Sequence, residues 1–237
     1  MMAVYSGRGL HGQTVEALAA MIFSGECREG DGLDVVALQE RLGVSSTALR
    51  EAMKVLTAKG LIAARPKLGT YVRPRSDWNL LDGDVIRWKF AGRPDHGFLR
   101  DLHELRAIVE PPVASLAARR RTPEQLAELQ AALDRMAEAG VAGDPAAVVE
   151  ADLRFHRALL AAGGNELLVR MEVVMGAGLA GRDRLVHGSH DSDDPVPSHQ
   201  AVLDAIRAAD AAAAEAAMRE LLAKAWHDVE RLHLETT

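Results

Sequence analysis

Asp152 and His156, in the segment ADLRFHRALL, stand four residues apart, so on a helix both project from one face a single turn apart. Leu153, Phe155 and Leu159 supply the neighbouring faces that would anchor such a helix. Farther along, His199 opens the pattern SHQAVLDAI, in which Val202, Leu203 and Ile206 recur at core spacing. One carboxylate and two imidazoles from two helices make an oxygen and nitrogen donor set suited to a divalent transition metal, with zinc, nickel and manganese all compatible. The same residues fit an ion pair and a capped core histidine equally well, and spacing alone leaves both readings open.

A different chemistry is written into Gly43–Ile62, GVSSTALREAMKVLTAKGLI. Leu49, Met53 and Leu56 recur at helical spacing and bury one face, which leaves Ser46, Thr47, Arg50 and Lys54 on the other. Ser45 is placed to cap the first turn through its hydroxyl, and Gly60 supplies a stop. A shorter apolar pattern, Val35–Leu42, precedes it across the Gly43 corner, giving two helices joined by a tight turn. That is helix-turn-helix geometry, with the second helix reading a major groove. Leu61 and Ile62 then begin a strand, the turn after them carries the cations Arg65 and Lys67, and Thr70–Val72 returns as a second strand after Gly69. An amphipathic helix pair without a nucleic-acid role predicts no such hairpin; a wing does.

The run from Gly30 to Val72 resembles the winged helix-turn-helix of the GntR family of bacterial transcription regulators. The likeness rests on the serine-rich entry Ser45–Thr47, on Arg50-Glu51-Ala52, and on Gly69-Thr70-Tyr71-Val72. It implies that Ser45, Ser46, Thr47, Arg50, Lys54, Arg65, Lys67 and Gly69 face DNA. Two departures stand out: Asp34-Val35-Val36 carries no cation where the family tends to place one, and Ser46 occupies a position where arginine is common. A lost guanidinium can remove roughly 1–3 kcal/mol of base discrimination.

The charge distribution agrees with a head that binds DNA and a body that does not. The net charge is −6, but residues 1–76 carry 10 Lys+Arg against 7 Asp+Glu, a balance of +3, which leaves 18 against 27, or −9, for the rest. Only the first part suits a phosphate backbone. With 237 residues the chain has room for two domains, and 48% hydrophobic residues with only 4% aromatic favour closely packed helices. The single Cys27 excludes an internal disulfide framework and a four-thiolate zinc site. No apolar run approaches the roughly 20 residues that a membrane span needs. The opening MMAVYSGRGL lacks a signal-peptide hydrophobic region, so a cytoplasmic protein without membrane attachment is expected.

These signals predict a mainly α protein: residues 1–76 a winged helix-turn-helix, 77–93 a connector, and 94–237 an all-α antiparallel bundle for effector binding and dimerisation. Thr14–Ser24 reads as a supporting helix with Val15, Leu18, Ala19 and Ile22 inward. In the connector, Trp78 and Trp88 are too costly to expose, and a packing role between the two domains, relaying a signal, is expected beside plain linker packing. Within the bundle, Pro111-Pro112 should kink or divide the helix Phe98–Arg121. Thr122-Pro-Glu-Gln125 is a capping box opening a helix to Ala139, and Asp144-Pro145 opens another through Ala162. Asn165 caps one running to about Leu185, a polar loop with His187 and His190 comes next, and helices Pro197–Ala209 and Asp210–Leu234 close the chain.

Asp-x-x-Phe-His, with His-x-x-x-Leu-x-Ala-Ile at a distance after it, resembles the FCD effector domain of the FadR branch of the same family. The resemblance implies a metal held by Asp152, His156 and His199, and a fourth histidine at the position occupied here by Leu221, which cannot ligate. His227, six residues on, is about 600° around the helix and does not substitute. The site is then either a three-ligand metal with open positions for water or effector, or a metal-free pocket using the same residues. Arg106 matches a carboxylate clamp, its alternative being an ion pair with Glu110 at i+4. The implied function is a ligand-responsive regulator, most simply a repressor of sugar-acid catabolism, binding a palindromic operator as a homodimer with half-sites about 34 Å apart. Two rivals are a metal-dependent hydrolase, which lacks a separate base or nucleophile at matching spacing, and a protein-interaction module.

Overall fold

In a computed structural model the described residues are 9–66, 69–91, 96–186 and 194–235. The chain divides into two compact units, Met1–Pro94 and Asp95–Thr237. Among the described residues, no helix is long and apolar enough to cross a membrane.

The first unit is built from α1 (Leu10–Phe23), β1 (Gly32–Leu33), α2 (Val35–Leu42), α3 (Ser46–Ala58), β2 (Ile62–Arg65), β3 (Gly69–Val72) and α4 (Gly83–Ala91). α2 starts where the Asp34 carboxylate accepts from the amides of Val36 and Ala37, and it ends at Gly43 in the left-handed region. The Ser45 hydroxyl accepts from the Ala48 amide and opens α3, as its sequence position predicts. Val15, Leu18, Ala19 and Ile22 of α1 pack with Leu49, Ala52, Met53 and Leu56 of α3 in one core. The wing hairpin is antiparallel, and β1 adds a third strand in the order β1-β3-β2, with Gly32 opposite Tyr71. A two-residue strand carries no period, which is why the sequence did not announce it.

The segment read as a connector packs inside this unit. The indole of Trp78 sits edge-on to Phe23 at 4.9 Å, and Trp88 donates from Nε1 to the Glu16 carboxylate of α1 at 2.8 Å. Arg87 reaches the same carboxylate at 2.6 and 3.0 Å. Both tryptophans therefore belong to the core of the first unit. At the end of α3, Lys59 places its ammonium 2.7 Å from Asp82 and 2.8 Å from Asp84, the latter buried. Burial opposes the charge of Lys59, but the two carboxylates outweigh it and hold the group above the ordinary lysine range.

The second unit holds α5 (His96–Arg120), α6 (Pro123–Ala142), α7 (Pro145–Ala162), α8 (Glu166–Arg170), α9 (Glu172–Val186), α10 (Val196–Arg207) and α11 (Ala211–Glu235). It is an antiparallel all-α bundle in which α6 packs on α7, α5 on α11 and α10 on α11. Thr122 and Gln125 form the expected capping box, and Asp144 caps α7 ahead of Pro145. Two expectations need correction. α5 runs unbroken through Pro111 and Pro112: the carbonyl freed by Pro112 is that of Ile108, an exposed residue, where water can satisfy it. The helix expected from Asn165 to Leu185 is two helices that break at Met171, where neither glycine nor proline marks the sequence. Residues 187–193, with His187 and His190, lie outside the described residues, as does Lys67.

Gly60 ties these features together, because its φ is +78° and an added Cβ would meet the Asp77 carbonyl oxygen at 2.6 Å. Gly60→Ala should destabilise the first unit by about 1–3 kcal/mol, read as a lower urea midpoint for Trp78 and Trp88 fluorescence.

Candidate functional site

The bundle brings Asp152 and His156 of α7 together with His199 of α10, all buried, with one potential ligand atom from each lying within 4.8 Å of the others. Phe155 supplies the wall: its ring meets His199 edge-on at 4.9 Å and His156 at 5.9 Å. His199 Nδ1 lies 2.8 Å from the Pro195 carbonyl oxygen, a pure acceptor, so that nitrogen carries the proton. Nε2 is then a lone pair, and it faces Asp152 Oδ1 at 2.9 Å without hydrogen-bond alignment. Two acceptors at that distance require a positive charge between them, either a second proton on the ring or a metal ion. Asp152 Oδ2 is also buried without a hydrogen bond and lies 3.7 Å from His156 Nε2. Buried polar atoms left unpaired cost about 1–3 kcal/mol each. The donor set and its orphaned atoms fit a cation.

Arg106 and Glu110 of α5 complete the cluster. The guanidinium of Arg106 holds Glu110 at 2.6 and 3.3 Å and donates toward His156 Nε2 at 3.1 Å. His156 Nδ1 then carries the ring proton and sits 2.9 Å from Glu110 Oε2, close but without hydrogen-bond alignment. A carboxylate behind a histidine in this way fixes its tautomer and raises its basicity as a ligand. Burial opposes ionisation of Glu110, but Arg106 and His156 outweigh it and bring the carboxyl down to about 2. Burial likewise opposes ionisation of Asp152, and His156, His199 and Arg182 overcome it, holding that group well below the usual carboxylate range.

Arg106 also lines a small cavity with Leu102, His103, Arg182, Trp226 and Val229. His103 stacks on Trp226 at 4.9 Å, and burial followed by the charge of Arg106 pushes its pKa down. Sequence reasoning missed Arg182 and Trp226, which stand in segments without a spacing signal, and it missed the contact of Glu110 with His156. Leu221 is buried in the bundle's apolar core, whereas His227 is exposed beside Glu230.

In the first unit, Ser45, Ser46, Thr47, Arg50 and Lys54 are exposed on the polar side of α3, opposite the buried Leu49, Ala52, Met53 and Leu56. Lys54 pairs with Glu51 at 2.7 Å, an exposed pair worth little and readily exchanged for a phosphate. Arg65 ends β2, and Gly69 begins β3 at a φ of +77°.

Comparison with known proteins places both units. The family model described as bacterial regulatory proteins, gntR family, matches residues 10–72, and the FCD domain model matches residues 101–224. The galactonate operon transcriptional repressor of Escherichia coli (strain K12) is 33% identical over 212 residues, covering 88% of this chain and 92% of that one. The putative L-lactate dehydrogenase operon regulatory protein of the same organism is 33% identical over 190 residues, covering 76% and 70%. A solved Listeria monocytogenes structure, described as Lar controlling the agr system, matches with a TM-score of 0.67 at 17% identity over 94% of this chain and 98% of that one, a likeness of fold.

The Arg106–Glu110 pair generates a prediction about stability. Glu110→Gln removes a buried counter-charge from the Arg106 guanidinium and should destabilise the bundle by about 3–5 kcal/mol, measured as a fall in the thermal or urea midpoint of the second unit.

Proposed function

The chain belongs to the gntR family of bacterial regulatory proteins, with an FCD domain as its second half, and we propose that it represses an operon for sugar-acid catabolism until a small carboxylate releases it. It is a ligand-responsive DNA-binding transcription regulator. The observation that carries the finer reading is the buried cluster of Asp152, His156 and His199 with a guanidinium on its border. A buried cluster of two ionised carboxylates, two imidazoles and a guanidinium is costly to bury and has no structural role that apolar packing would not fill better. With a cation held by the carboxylate and imidazoles, and the guanidinium beside it, it would suit an anion small enough to enter a helical bundle. The names of the relatives, a galactonate operon repressor and a putative L-lactate dehydrogenase operon regulator, support an organic acid.

In this reading Asp152, His156 and His199 hold one divalent transition metal, zinc, nickel or manganese, and Leu221 leaves its coordination open on one side. Such a metal supplies Lewis-acid positions for the carboxylate and hydroxyl oxygens of a hydroxy acid. Arg106 offers the planar fork for the same carboxylate, and Glu110 keeps that fork oriented between effectors. Because Arg106 donates to the His156 nitrogen that faces Asp152, it competes with a metal for that lone pair, and an effector carboxylate drawing the guanidinium away favours metal and effector together. Ser45, Ser46, Thr47, Arg50, Lys54, Arg65, Lys67 and Gly69 form the DNA-facing set, with α3 as the reading helix. The protein acts as a homodimer in the cytoplasm, on an inverted repeat. A coupling of roughly 1–3 kcal/mol between sites gives a 5- to 150-fold change in operator affinity. The names of the relatives are those of regulators, and no turnover is part of the proposal.

Arg50→Ala should abolish binding to a protected inverted repeat upstream of the regulated operon, and wild-type affinity should fall steeply with salt; binding that ignores both salt and Arg50 would favour a protein-interaction module. Asp152→Ala and His156→Ala should each leave operator binding in place and remove release by aldonates, checked by gel shift with circular dichroism confirming the fold. Elemental analysis of protein purified without a histidine tag should return close to one transition metal per chain, and a metal-free preparation that still responds to effector would leave the residues binding the acid directly.

A further inference from the structure

Two strands of the first unit bring the wing cation Arg65 onto an aromatic ring to which the sequence pattern does not link it. In the register of β2 and β3, Arg65 stands opposite Gly69, and Tyr71 stands opposite Ala63. Arg65 and Tyr71 are thus diagonal neighbours, two positions apart on the partner strand, within reach of a long side chain. Gly69 carries no side chain at the position directly across. The guanidinium carbon of Arg65 lies over the Tyr71 ring, 4.3 Å from its centre. Arg65 is exposed and Tyr71 half-buried, the ring held by its strand between β1 and β2.

We propose that Tyr71 is a positioning residue for DNA binding, a fixed aromatic platform that holds the Arg65 guanidinium flat and outward at the end of the wing strand. An unsupported arginine on a hairpin loses rotamer freedom when it engages a phosphate or a groove edge; one already stacked on a ring loses less. The stack leaves the guanidinium's N–H groups at its rim open to an acceptor, since the ring engages only its face. Gly69 contributes through its left-handed backbone, at a φ of +77°, where β3 begins. The inference rests on the DNA-binding reading of this unit.

The test uses the full-length protein and mixed-sequence double-stranded DNA, which needs no knowledge of the operator, across a series of salt concentrations. Tyr71→Phe keeps the ring and should bind as the wild type does. Tyr71→Leu should weaken binding about threefold, the size of an exposed cation–π contact, and combining it with Arg65→Ala should weaken binding no further than Arg65→Ala alone. Arg65→Ala should reduce the salt slope by about 0.9, one phosphate contact. Tyr71→Leu with wild-type affinity, or strictly additive losses in the double variant, overturns the platform. A second measurement does not depend on any variant folding: in the free wild-type protein the Arg65 side-chain protons should show upfield ring-current shifts by NMR, and unshifted protons overturn the proposal. A wild-type protein that binds no DNA at any salt concentration overturns the DNA reading itself, an outcome distinct from a wing that binds without help from Tyr71.

Discussion

Ionic groups in the dry middle of a helical bundle must neutralise one another or be neutralised by something that arrives from outside. Arg106 and Glu110 on α5 satisfy each other through two contacts, and His156 is held between them and Asp152. Asp152 Oδ1 and His199 Nε2 face each other at 2.9 Å without an aligned hydrogen bond, a contact that needs a positive charge between them. The rest of the second unit accommodates that imbalance. Phe155 screens it, and α5, α7 and α10 must stay in register for the cluster to exist at all. A core built for stability alone would have used apolar residues of the same volume, and the retained charge is what supports the proposed ion or acid site.

The first unit follows the opposite rule. Its charges sit at the surface or in contacts that fasten helices to one another, and its polar reading face is backed by a continuous apolar core from α1 and α3. Lys59 illustrates the difference. Its ammonium, at the end of the reading helix, is buried against Asp82 and Asp84 and serves as a fastener between α3 and the start of α4, while Arg50 and Lys54 on the same helix stay exposed. A cation one turn away can thus have an entirely local purpose.

Much of this was legible from residue types and spacing. The caps at Ser45, Thr122 and Asp144, the left-handed Gly43, and the inward faces of α1 and α3 all come from short-range rules, because the forces that set them act within a turn or two of chain. The i, i+4 pairing of Asp152 with His156, and of Arg106 with Glu110, is equally local. What escaped was non-local or aperiodic. The strand Gly32–Leu33 is too short to show alternation, and the stacking of Arg65 on Tyr71 depends on strand register. The contact of His156 with Glu110 depends on how α5 meets α7. Prolines 111 and 112 point the other way: a propensity rule anticipated a kink or a division, and α5 is one continuous helix through both.

The packing of Trp78 and Trp88 on Phe23 and Glu16 bears on modularity. A head excised at the end of the wing would leave α1 with a bare aromatic ring and an orphaned carboxylate, so the smallest self-sufficient DNA-reading fragment includes α4 through Ala91. Grafting this head onto another sensor, whether by recombination in a genome or by hand in a biosensor, therefore wants its seam beyond that helix, so that the layer of Phe23, Trp78 and Trp88 stays whole.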